Sequence, residues 1–205
     1  MLGAVEAWAV DSGRAVLLGV DEAGRGPLAG PVVAAAVALP PGPLPPELAE
    51  LDDSKALSEG QRRRLVRPIL RHALAVGVGR VEADRIDHIN ILEATREAWQ
   101  QAVRAALRRL GRPATTLLVD GNLPVPGYTG EQFALVKGDT RSFNIAAASV
   151  IAKVTRDRVM CLWDLRYPAY GFARHKGYGT LAHRRALVAC GPSPIHRRSF
   201  KWTPP

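Results

Sequence analysis

The chain has 205 residues, 47% hydrophobic and 23% charged, which fits one soluble domain spanning 1–205 that needs no disulfide staples. Its 28 Lys+Arg against 19 Asp+Glu give a net charge of +9, so a polyanionic partner is expected, nucleic acid ahead of a membrane. Cys161 and Cys190 have neither metal nor redox spacing and suit a reducing cytoplasm, and the longest apolar run, VVAAAVAL, is far too short to span a membrane.

Residues 1–15 read as a lead-in without a basic leader segment. Runs 16–21 (VLLGVD) and 31–39 (PVVAAAVAL) have the continuous apolar character of buried strands, separated by a glycine-rich turn. The stiff PPGPLPPEL loop leads to a helix over 58–73, where Ser58 and Gln61 have capping-box spacing. A third strand follows at 73–81, then a helix from Ala83 to Leu110 closed by Gly111 and Pro113. Segments 115–121 and 131–139 each pair an apolar run with an acid and a glycine. A helix over 141–166 stops at Tyr167–Pro168, a shorter one covers 179–190, and the tail is irregular and basic. This order predicts a mixed α/β sheet with helices on its faces.

Asp21, Glu22, Asp120 and Asp139 each follow one of the apolar runs. The strand ends of an α/β sheet are where such folds place their chemistry. Carboxylates gathered there repel one another unless cations neutralise them, and an oxygen-only set suits magnesium or manganese rather than zinc. Taken singly, each acid also fits an ordinary turn or cap, and Asp139 fits the N-cap of the helix that follows. Adjacent strand residues point to opposite faces. Either the strand therefore bends at Ala23–Gly24, or only one of Asp21 and Glu22 is a direct ligand.

The turn GRGPLAG is not a Walker A loop, since no Gly-Lys-Ser/Thr follows. Its spacing also misses the dinucleotide fingerprint. A tight hairpin is one reading. Beside two carboxylates, it also suits backbone amides brought against a sugar hydroxyl or phosphate. No Ser/His/Asp or Cys/His pattern calls for a covalent nucleophile. His175, His183 and His196 are scattered along the chain and read as structural or substrate-facing rather than metal-binding. Trp8, Trp99, Trp163 and Trp202 read as packing residues.

With these residues assembled, the chain resembles the bacterial ribonuclease HII branch of the type 2 ribonuclease H family. The resemblance is carried, in family order, by DEAGRGPLAGPVVAAAV, DDSKALSEGQR, DHINILEAT, LVDGN, KGDTRSFNIAAASVIAKVTRD, YPAYGFARHKGYGTLAH and SPIHRRSF. It implies a ribonuclease H-like fold: a five-stranded mixed sheet flanked by helices, with a C-terminal helical portion over about 167–205 that contributes to substrate recognition. It implies a metal-dependent endonuclease acting on RNA–DNA hybrids and on duplex DNA containing ribonucleotides. Cleavage 5′ of the ribonucleotide would leave a 3′-hydroxyl and a 5′-phosphate, in ribonucleotide or RNA primer removal.

By motif position, the resemblance makes Asp21, Glu22, Asp120 and Asp139 catalytic and metal-binding, with Mn²⁺ or Mg²⁺ as cofactor. Two ions about 4 Å apart suit in-line hydrolysis of a phosphodiester. Gly24, Arg25 and Gly26 resemble the segment that reads the ribose 2′-hydroxyl, and Tyr178 the tyrosine that packs on the next, deoxy sugar. Lys55, Lys153 and Lys176 are candidate phosphate contacts. Asn90 is a candidate DNA contact, with a helix N-cap as its other reading. Trp99 stands where the family pattern leads one to expect methionine. A cytoplasmic monomer is expected, and the lack of a clear QxxLxLF-like peptide leaves a sliding-clamp interaction open. The alternatives are a ribonuclease HIII-like nuclease, against which the missing GKG-like turn argues, and a non-catalytic basic nucleic-acid binder.

Overall fold

A computed structural model describes residues 2–13, 16–51, 57–111 and 116–205. Lys55 therefore lies outside the described residues. The strands are β1 (Leu17–Ala23), β2 (Val32–Ala38), β3 (Ala75–Val81), β4 (Thr116–Asp120) and β5 (Gln132–Leu135). They form a five-stranded sheet in the order β3-β2-β1-β4-β5, antiparallel across β1–β2 and β2–β3 and parallel across β1–β4 and β4–β5. The mixed sheet is thus as expected. β2 is buried along its whole length, as its unbroken VVAAAVA run requires of a strand covered on both faces.

The helices are α1 (Ala4–Asp11), α2 (Glu59–His72), α3 (Ala83–Leu110), α4 (Phe143–Arg166), α5 (Phe172–His175) and α6 (Leu181–Cys190). Helix α2 begins with the anticipated capping box between Ser58 and Gln61. Helix α1 occupies the stretch read from sequence as a lead-in. Its Glu6 Oε1 accepts hydrogen bonds from Ser142 Oγ and from the backbone and side-chain nitrogens of Asn144. Helix α3 is not continuous. Asn90 sits at φ 68°, and its Oδ1 accepts from Leu92 N and Glu93 N, so it caps the second half of the helix. Helix α4 starts later than the sequence suggests and is capped by Ser142, whose Oγ accepts from Ile145 N. Asp139, the residue weighed for that cap, instead lies in a preceding 3₁₀ turn, Gly138–Thr140.

The alternation of β1 gives the sheet two distinct sides. Leu18 and Val20 pack with Ala98, Trp99 and Ala102 of α3, in one apolar cluster. Leu17 packs with Ile145 of α4 and with Leu118. Gly19 faces the same side, where a Cβ would come within 2.3 Å of the Asn144 backbone, so α4 crosses β1 at a distance only glycine permits. The C-terminal part returns to the β1–β2 connection through an isolated bridge between Ala29 and His196. There Leu28, Met160, Tyr170, Phe172, Leu187 and Ile195 form a separate apolar cluster. Among the described residues, no helix is long and apolar enough to cross a membrane.

Candidate active site

The strand alternation carries over to the acids. Asp21 continues the Leu17–Gly19 side and faces α4, whereas Glu22 continues the Leu18–Val20 side and faces α3. β1 does not bend between them: it stays paired with β2 through Ala23. On β4, Leu118 shares the α4 side with Leu17, so Asp120 points to the same side as Asp21. The register places Val20 beside Val119, which makes Asp21 and Asp120 neighbours on adjacent strands. The turn before α4 then adds Asp139. The three carboxylates have oxygens within 4.8 Å of one another.

Backbone amides and a serine reach this trio. Asp21 Oδ1 accepts from the Glu22 amide at 2.7 Å, and Asp120 Oδ1 accepts from the Gly138 amide at 2.7 Å. The Ser149 side chain, from α4, also hydrogen-bonds to Asp21. Burial, then the nearby charges of Glu22 and Asp120, push the Asp21 carboxyl well above the usual range. Burial likewise raises Glu22, opposed by the Arg25 guanidinium and a bond from Trp99. Three carboxylates crowded this closely fit a divalent cation, whose charge removes the repulsion and whose preferred ligands are hard oxygens.

Glu22 stands beside the trio. Its Oε2 accepts from the Trp99 indole at 2.9 Å, and its Oε1 lies 3.5 Å from Arg25 Nη1. Trp99 is buried as a packing residue should be, but its polar edge also orients an acid of the site. Nothing in its sequence neighbourhood shows that, because the partner lies 77 positions away.

The other candidates fall in two places. Gly24, Arg25 and Gly26 form the turn after β1, with Arg25 and Gly26 exposed. Tyr178 is 45% exposed, with Lys153 Nζ and Arg156 Cζ each 6.0 Å from its ring centre. Lys153 pairs with Asp157 at 2.8 Å. Lys176 is buried, and its ammonium donates to the Ala173 carbonyl.

The histidines are scattered only in sequence. His175 stacks on His183 at 4.4 Å, and His183 Nε2 lies 2.9 Å from His196 Nε2. The Ser193 amide donates to His196 Nδ1, so the His196 proton sits on Nε2 and is given to His183. His183 in turn gives its Nδ1 proton to the Tyr178 carbonyl. This chain of neutral rings fixes the Tyr178 backbone and uses up the nitrogens a metal would need. Burial, then His183, pushes His196 down to about 4. Below pH 6.5 the unfolded chain takes up a proton that the fold refuses, so the stability that His196 contributes falls as pH drops from about 6.5 to 4, opposite in sign to the contribution of the raised Asp21. The expected loss is on the order of 2 kcal/mol. Urea unfolding at pH 7 and 4.5, with an NMR titration of His196, checks it. A His196 that titrates near its ordinary value would refute it.

The sequence profile of a family described as Ribonuclease HII matches residues 18–203. The chain is 53% identical over 185 residues to the ribonuclease HII of Syntrophotalea carbinolica, covering 90% of this chain and 85% of that one. It is 54% identical over 191 residues to that of Chloroflexus aurantiacus, covering 92% and 88%. Among solved structures, it is similar to the ribonuclease HII of Archaeoglobus fulgidus, determined in complex with PCNA. That match has a TM-score of 0.73 at 26% identity and covers 92% of this chain and 96% of that one. A ribonuclease HIII determined with Mn²⁺ shares the fold at a TM-score of 0.71 and 19% identity, covering 91% and 67%.

Proposed function

The chain belongs to the ribonuclease HII family, and we propose that this endonuclease nicks duplex DNA on the 5′ side of a single embedded ribonucleotide and also cuts the RNA strand of hybrids. The observation that carries the reading is the convergence of Asp21, Asp120 and Asp139 at the end of β1, next to an exposed glycine turn. The family is divalent-metal dependent, and we assign the ion here as Mg²⁺ or Mn²⁺, held by these three residues with Glu22 alongside. When bound, such ions orient the attacking water and offset charge on the leaving 3′-oxygen.

The protein's own groups do the rest. Trp99 and Arg25 hold Glu22 in place at the edge of the trio. The turn offers backbone amides to a 2′-hydroxyl, the one group that marks RNA. Tyr178 presents a ring face to the adjoining deoxyribose, where a second hydroxyl would be hindered. The net charge of +9 draws in the polyanionic duplex.

The test is a duplex carrying one ribonucleotide, incubated with the protein and either metal. A single nick leaving 3′-hydroxyl and 5′-phosphate ends is expected. No cleavage by folded protein with either ion would overturn the reading. Strong cutting of long hybrids with little of the single-ribonucleotide duplex would instead mark a ribonuclease HIII-like specificity.

A further inference from the structure

Arg197 lies in the C-terminal tail, far from the catalytic carboxylates in sequence, yet it is 3% exposed. Its three hydrogen bonds all run to backbone carbonyls. Nε donates to Gly30 O at 2.9 Å, Nη1 to Arg25 O at 2.9 Å, and Nη2 to Gly24 O at 2.6 Å. A buried guanidinium is costly to desolvate, and here three carbonyl dipoles and the nearby Asp87 charge offset it. The side chain is itself held fast. The Phe200 ring lies 4.9 Å from Cζ, the Arg197 amide donates to Leu28 O, and Asp87 accepts from Arg198 N and from Ser199 N and Oγ.

The direction of these bonds has a geometric consequence. In a trans peptide the N–H points opposite to the C=O. The peptides whose carbonyls Arg197 holds are Gly24–Arg25 and Arg25–Gly26. Pulling both oxygens inward turns the amides of Arg25 and Gly26 outward together, as a two-donor concavity of the kind that binds anionic or lone-pair oxygens. Both residues are exposed, and among the described residues neither amide has a backbone acceptor. Gly24 can take this shape because it sits at φ 99°. A Cβ there would strike the second buried guanidinium, Arg156, whose Nε lies 2.1 Å from the position it would occupy. Arg156 anchors the far side of the turn through the carbonyls of Ala29, Pro31 and Lys176.

We propose that Arg197 is a positioning residue for substrate choice: by holding the Gly24 and Arg25 carbonyls inward, it aims the Arg25 and Gly26 amides at the ribose 2′-hydroxyl. This rests on the reading that the turn meets the ribose. The residue touches neither substrate nor metal.

The experiment compares Arg197→Met and Arg197→Lys with the unmodified protein. Three quantities are read: kcat/KM on a single-ribonucleotide duplex, the inhibition constant of an all-DNA duplex of the same sequence, and the melting temperature. Arg197→Met is expected to lower kcat/KM by roughly 30-fold, as loss of two aimed hydrogen bonds would. The all-DNA inhibition constant should stay within about twofold, since phosphate contacts are untouched. Lysine keeps the charge but not the two-pronged donor geometry, so Arg197→Lys should resemble Arg197→Met. Should the methionine variant fail to fold, the lysine variant carries the test. Full activity in Arg197→Lys, or an inhibition constant that worsens in step with kcat/KM, would overturn the proposal. An unmodified protein that binds all-DNA duplex as tightly as the ribonucleotide-containing one would instead sink the reading of the turn.

Discussion

Asp21→Asn should abolish turnover and at the same time make the metal-free protein more stable. The activity loss follows, on the proposed reading, from removing one of three clustered carboxylates and is expected to reach at least about a thousandfold, several kcal/mol of transition-state stabilisation. The gain in stability follows from the cost of keeping that carboxylate charged. Burial and the charges of Glu22 and Asp120 raise its folded value above its unfolded one. The fold therefore binds the proton more tightly than the unfolded chain does. Stability is full below the unfolded carboxylate range and falls as pH rises through it toward the raised folded value. At neutral pH Asp21 accordingly works against the metal-free fold. Asparagine keeps the size and removes the charge, so melting should rise by a few degrees for a chain of this length, about 1–2 kcal/mol. Added Mg²⁺ or Mn²⁺ should stabilise the unmodified protein and do so much less for Asp21→Asn. Thermal melts with and without metal, beside a cleavage assay, check both halves. A variant that loses stability as well as activity would show Asp21 to be a structural residue.

The second large effect concerns Tyr178. Tyr178→Ala should lower cleavage of a single-ribonucleotide duplex by about tenfold or more, within the range of one lost ring–nucleotide contact. Cleavage of a long RNA–DNA hybrid should stay within about threefold, because every sugar that follows a cut there carries its own hydroxyl. The side chain is 45% exposed, and the backbone is held independently of it. The Tyr178 amide donates to His175 O, and its carbonyl accepts from Thr180 N and His183 Nδ1. Removing the ring therefore leaves the loop in place, and the readout is substrate choice rather than folding. A parallel fall on both substrates would show that the ring serves cleavage generally and does not sense the junction.

How far the sequence reveals this site depends on the range of the interactions. The mixed sheet, the capping box of α2 and the stop at Tyr167–Pro168 are local patterns and are legible in the residues. The question posed by the adjacent acids could be framed from strand alternation, but deciding it needed the neighbours of β1. Apolar partners on α3 and α4 show that the two side chains leave by opposite faces. Asp139 looked like a helix cap because glycine–acid turns often are, yet a serine three residues later takes that role. The histidine chain, the Trp99–Glu22 bond and the two buried arginines were not visible. Each joins segments separated by 13 to 173 positions, and side-chain bonds to backbone carbonyls depend on no particular residue type at the acceptor. Helix α1 is short, and the glutamate that ties it down, Glu6, reaches Ser142 and Asn144, 136 and 138 positions away.

The route of the chain through the site also sets an order of assembly. All three clustered carboxylates precede α4, whereas His196 and Arg197, which fix Tyr178 and the glycine turn, follow α6. Chains emerge from the ribosome N-terminus first. A growing chain therefore holds the clustered acids before it holds the side chains that fix the turn. On the proposed reading, a chain cut between α6 and His196 would carry the acids without the supports that aim the turn's amides.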